Sequence, residues 1–157
     1  MLKQQRLLCG AAVVVSLAAV AAALFTQLRW DMQPCPWCVL QRVILVAIAL
    51  AALPGLLLPV KAARWASAAV MLVLAGSGVA AALWQHFVAA SSTSCAMTLA
   101  DRVVRGAGLD ELWPEGFSAT ASCAEAATQL LGVPYEFWSL TLFVMLLLAA
   151  VQLLRLR

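Results

Sequence analysis

The chain has 157 residues, a formal net charge of +3 at pH 7, 65% hydrophobic content and only 11% charged residues. With a mean hydropathy of +0.98, it has too few polar side chains to clothe a water-facing surface, which excludes an ordinary soluble enzyme and gives no reason to expect a nucleic-acid partner. It reads as one all-α membrane domain, a bundle of four transmembrane helices with lipid as its main surroundings.

The first predicted helix covers residues 7–28, an uncharged run close to the roughly 20 residues that a bilayer-spanning helix needs. Gly10, Ser16 and its many alanines suit close helix packing, and Cys9 reads as a small buried residue. A secretory signal is the alternative, since Lys3 and Arg6 precede a run containing Ala21-Ala22-Ala23, but the run exceeds the 7 to 15 residues usual for a signal core. Arg29-Trp30-Asp31 then marks the lipid–water interface.

Next comes Pro34-Cys35-Pro36-Trp37-Cys38-Val39-Leu40-Gln41-Arg42, where a polar loop runs into the second apolar segment, residues 36–60. Two cysteines three apart can close a small disulfide ring if the backbone turns, and Pro36 is tolerated in a first helical turn. Cys35 is thereby placed near the N-cap, where unpaired N–H groups and the positive end of the helix dipole favour a thiolate. Arg42 lies four residues beyond Cys38 on the same helical face, in reach of the sulfur or of a ligand beside it. The plainer readings are a static disulfide or half of a metal site for the cysteines, and snorkelling to the headgroups for Arg42. A bend is expected at Pro54-Gly55.

The third helix is expected over residues 65–88, with Gly76-Ser77-Gly78 as a packing surface and His86, the single histidine, near its end. His86 fits an interfacial anchor as well as a group that hydrogen-bonds a carbonyl oxygen or relays protons. Residues 89–133 form the one sizeable polar loop. It holds Cys95 and Cys123, has no evident core of its own and so is expected to rest on the bilayer or to move. Within it, Val103-Val104 and Leu109 to Trp113 suit a short segment lying on the membrane, and Ala124 to Leu131 looks helical. Residues 135–154 complete the bundle as the fourth helix.

Orientation follows from the basic residues. Lys3, Arg6, Lys61, Arg64, Arg155 and Arg157 gather on one side, which predicts that both termini are cytoplasmic. All seven acidic residues fall on the other side with Cys35, Cys38, Cys95 and Cys123, on the disulfide-permissive face.

These features together resemble the DsbB family of disulfide bond formation proteins. The likeness covers nearly the whole chain and is carried by Pro-Cys-x-x-Cys with an arginine four residues later (Cys35, Cys38, Arg42), by Cys95 after Ser/Thr-rich residues, and by Cys123-Ala124-Glu125 followed by Leu131-Gly132. The resemblance implies a protein-dithiol:quinone oxidoreductase of the bacterial inner membrane. Such a protein reoxidises a periplasmic DsbA-like oxidase of thioredoxin fold and passes the electrons to ubiquinone or menaquinone, the system that keeps the periplasm oxidising. By the same resemblance Cys95 meets the partner and pairs with Cys123, Cys35 exchanges with the loop pair, Cys38 is the thiolate beside quinone, Arg42 belongs to the quinone site and His86 lies near it. Pro36-Trp37 replaces the aliphatic dipeptide of well-known members, and Gln41 stands where some have Glu. The competing functional class is a membrane thiolate metal-binding protein, for which the chain offers few further ligands; no metal is expected.

Overall fold

Four helices long and apolar enough to cross a bilayer make up most of the computed structural model, which describes residues 2–91, 97–127 and 129–156. They are α1 (Leu2–Trp30), α2 (Pro36–Leu57), α3 (Lys61–Phe87) and α7 (Tyr135–Arg155). The predicted spans are 7–28, 36–60, 65–88 and 135–154. The largest difference is α1, which continues past Lys3 and Arg6 because both side chains remain exposed and cost the helix nothing.

Helix α2 lies at the centre, packed against α1 on one side and α3 on the other, while α7 packs along α3. Helices α1 and α7 scarcely touch, so a cleft remains between them. Small residues set the spacing, as expected where lipid supplies no hydrophobic drive and van der Waals contact must hold helices together. At Gly78 the ring of the fully buried Phe143 lies directly on the α-carbon: an added Cβ would come within 2.3 Å of Phe143 Cδ1. At the other end of α2, Gly55 meets Cys9 Sγ and Ser67, and its N–H donates to Ser67 Oγ at 2.9 Å. Cys9 is therefore a buried packing residue, as expected, and the helix runs through Pro54-Gly55 to Leu57. Gln5 donates to the carbonyl of Leu156, so the beginning of α1 and the end of α7 lie together, remote from Cys35.

The polar loop, expected to rest on the bilayer or to move, packs its apolar residues against α2. Helix α4 (Leu99–Gly106) opens on a capping box in which Thr98 and Asp101 satisfy each other's backbone N–H groups. Two single turns follow, α5 (Leu109–Leu112) and α6 (Pro114–Phe117). Val104 and Phe117 are buried against Val39, with Val43, Val46 and Leu109 around them, so α2 supplies the apolar wall that the loop lacks by itself. Leu112, Trp113 and Val103 stay exposed.

The helix expected over Ala124 to Leu131 is not formed. A Ser122–Glu125 capping box closes one turn, with Ala126 N–H on Ser122 O at 2.9 Å. The chain then enters a two-stranded ribbon, β1 (Gln129–Leu130) with β2 (Val133–Pro134). Leu131 and Gly132 both have positive φ at the tip, a turn that no helix accommodates. Trp138 Nε1 donates to Leu130 O at 3.3 Å and ties the ribbon to α7.

Candidate active site

Pro36 occupies the first turn of α2 and Cys35 is its N-cap, as the sequence predicts. The Cys35 sulfur accepts the N–H of Cys38 at 3.3 Å, and the two sulfurs stand 2.8 Å apart. A small movement would bring them to the roughly 2.05 Å of a disulfide bond. Cys123 comes to the same place from far along the chain. Thr120 and Ala121 donate backbone N–H groups to Pro34 O at 3.0 and 3.3 Å, and Thr120 Oγ1 donates to Gln33 Oε1 at 2.6 Å. The strand of loop so pinned lays Cys123 against Cys35, where both are buried with Ala89, Trp37, Cys38 and Ala126. Cys95 lies outside the described residues.

Where the negative charge settles is a correction to the expectation for Cys35. Its thiol hydrogen-bonds to Cys123 and Cys38 in a buried site, and these bonds together with burial hold its proton well above the usual thiol range. Cys123 is the sulfur that receives: the Cys35 thiol, assisted by the backbone N–H of Trp37, lowers its acidity range below the ordinary one. The start of α2 thus lends a backbone N–H, that of Trp37, to the sulfur that arrives from the loop. With a lowered value the thiolate form of Cys123 persists to lower pH than that of a free thiol. Alkylation of Cys123 in the reduced protein, followed by peptide mapping, should run at correspondingly lower pH, and Cys35→Ala should move that profile up; coincident profiles would contradict the assignment.

Behind Cys38 is the cleft between α1 and α7, about 230 Å³ in volume. Ala19, Ala22, Leu45, Trp138 and Leu142 give it apolar walls, and Cys38, Gln41, Arg42, Gln85 and Tyr135 make one end polar. Arg42 faces this cleft and is 6% exposed, so it does not snorkel. Its guanidinium donates to Gln27 Oε1 at 2.7 Å, to Gly116 O at 3.0 Å and to Ala23 O at 3.5 Å. All three acceptors are neutral. A buried cation held, among the described residues, by neutral dipoles and lying beside a sulfur is suited to a ligand that carries or acquires negative charge.

His86 is not among the residues that line the cleft. It lies against Phe87 and Phe137, and its Nδ1 is 2.8 Å from Glu136 Oε1, a bond that joins α3 to α7. The α3 side chain that does reach the site is its neighbour Gln85, 3.2 Å from Cys38 Sγ. Gln41, three residues after Cys38 on one helical face, carried a readable signal, whereas nothing along the chain connects Gln85 or Tyr135 with Cys38.

The model of the family described as "Disulfide bond formation protein DsbB" matches residues 5–153. The chain belongs to the DsbB family. Relatives include "Disulfide bond formation protein B 1" of Pseudomonas syringae pv. syringae (strain B728a), 33% identical over 135 residues that cover 84% of this chain and 79% of the relative. "Disulfide bond formation protein B" of Dechloromonas aromatica (strain RCB) is 33% identical over 133 residues, 82% of this chain and 78% of the relative. This DsbB-family chain is thus an oxidoreductase of disulfide bond formation with four helices apolar enough to span a membrane. The membership favours sulfur exchange over the thiolate metal-binding alternative.

Proposed function

We propose that this protein accepts electrons from a reduced DsbA-like oxidase through the Cys95–Cys123 pair, moves them to Cys35 and Cys38, and discharges them to ubiquinone or menaquinone. The observation that carries this reading is the position of one sulfur, Cys35, with Cys123 on its loop side and Cys38 on its cleft side. Exchange runs along such a row without any sulfur travelling far. Cys95 takes the partner's thiolate, and the basic flank of the helices keeps both termini cytoplasmic, which leaves the cysteines on the periplasmic side of a bacterial inner membrane.

The cleft fits a quinone in the chemistry of its lining: apolar walls for the ring and its tail, and donors at the sulfur end. Arg42 would hold a carbonyl oxygen through its N–H groups and steady the charge that develops there, with the Tyr135 O–H as a second donor. When bound, the quinone supplies an acceptor for two electrons and two protons. Helices α1 and α7 keep water from the apolar part, and Cys38 presents its sulfur at the polar end. His86 and Glu136 serve in this scheme to join α3 and α7 at the rim.

Anaerobic mixing of the purified protein with a reduced DsbA-like oxidase and a quinone, followed by quinone absorbance, is the test. Loss of oxidised quinone in proportion to dithiol supports the reading, and no loss overturns it. In the same assay Arg42→Ala should raise the quinone concentration needed for half-maximal rate by about ten- to a hundredfold, the worth of a hydrogen bond from a charged group. Unchanged affinity and rate would remove Arg42 from the site.

A further inference from the structure

Two buried glutamines meet beside the reacting sulfur. Gln85 Nε2 lies 3.2 Å from Cys38 Sγ, and Gln85 Oε1 accepts from Gln41 Nε2 at 2.7 Å. Gln41 and Gln85 are 5% and 7% exposed, and both line the polar end of the cleft. The second bond sets the sense of the first. An amide presents donors at one end and an acceptor at the other, so a Gln85 whose oxygen is taken by Gln41 must turn its NH₂ to the sulfur. A neutral thiol gains little from such a donor, whereas a hydrogen bond to an ionised group is roughly twice as strong as a neutral one.

We propose that Gln85 is a catalytic hydrogen-bond donor to the Cys38 sulfur and Gln41 its positioning residue, the two serving to hold the electron pair that Cys38 receives when the Cys35–Cys38 bond opens. In that step the Cys123 thiolate attacks the Cys35 sulfur, a Cys123–Cys35 bond forms, the Cys35–Cys38 bond breaks, and Cys38 departs as thiolate. No proton is taken up and no outside oxidant is needed. A better-stabilised leaving sulfur leaves faster, so the amide aids opening of the ring as well as holding its product. This rests on the order of exchange proposed above.

Among the described residues, the groups around the Cys38 sulfur that carry charge or exchange a proton are Cys35 at the N-cap of α2, Arg42 on α2, Cys123 from the loop and Tyr135 on α7. Replacing either glutamine leaves all of them in place. The full chain, purified in detergent and reduced, is alkylated over a range of pH, and the rate at Cys38 is read by peptide mass. Gln85→Met, of similar length but without a donor, should move the Cys38 profile up by about one pH unit, a tenfold loss of thiolate below the midpoint. Gln85→Asn retains a buried amide but withdraws it by a methylene, and should move the profile the same way if Gln85→Met does not fold. Gln41→Met, which never touches the sulfur, should give a smaller upward shift. Profiles of folded Gln85 variants that superimpose on the unsubstituted protein overturn the donor role; an unmoved Gln41→Met profile overturns the positioning role. Neither quinone nor partner oxidase is present, so failure to reduce quinone and failure of this shift are separate results.

Discussion

Serine in place of Cys38 is expected to reduce quinone turnover to the protein-free rate while leaving Cys35 able to bond to Cys123. Cys35 lies 2.8 Å from the Cys38 sulfur and is packed against Cys123. Removal of Cys38 takes away the sulfur that faces the cleft and through which Cys35 can be released, since a serine oxygen cannot form the second disulfide. The Cys35–Cys123 bond should then accumulate and appear as a linked peptide in a non-reducing map. Cys35→Ser should be equally inactive and yield no such peptide. Turnover by Cys38→Ser above the protein-free rate would show that electrons leave from another sulfur, and a Cys38–Cys123 linked peptide in Cys35→Ser would show that the map reports scrambling.

The largest effect on stability is expected at Gly78. The Phe143 ring covers its α-carbon so closely that alanine would place a methyl 2.3 Å from Cδ1, against the 3.5–4.0 Å of ordinary carbon contact. Phe143 is fully buried where α7 meets α3 and the main core, so it has nowhere to retreat. Gly78→Ala should therefore destabilise the bundle by about 3 kcal/mol, the upper part of the range for overpacking, visible as a lower unfolding temperature in detergent. Phe143→Leu, which shrinks the ring, should recover part of that loss in the double variant, because two residues in contact do not act additively. Equal stability of Gly78→Ala and the unsubstituted chain would mean that α7 does not pack here.

Much of this architecture is legible along the chain because its causes are local. Apolar runs of bilayer length become helices whatever lies beside them, since lipid offers no partner for a bare backbone. The Cys35–Cys38 spacing, the proline in the first turn and Arg42 on the face of Cys38 are properties of one helical segment, and the structure retains all three. Where expectation failed, a distant contact prevailed over a local preference. Ala124 and the residues after it look helical, yet the ribbon tied to Trp138 stops the turn that Ser122 and Glu125 start. The first turn of α2 likewise offers the backbone N–H of Trp37, and a second cysteine brought in by the loop receives it.

From the amino-acid order alone came the number of spans, the gathering of basic residues at one end, and the presence of a redox-capable sulfur pair where a loop meets a helix. Only the tertiary structure decided that Cys123 lies against Cys35, that Arg42 is buried among neutral acceptors, and that Gln85 rather than His86 reaches Cys38. The division has a physical reason. Helices across lipid are specified by hydropathy within about 20 residues. Contacts between the faces of different helices depend on rotation and approach, which are settled by the fit of small and large side chains such as Gly78 and Phe143 far apart in the chain.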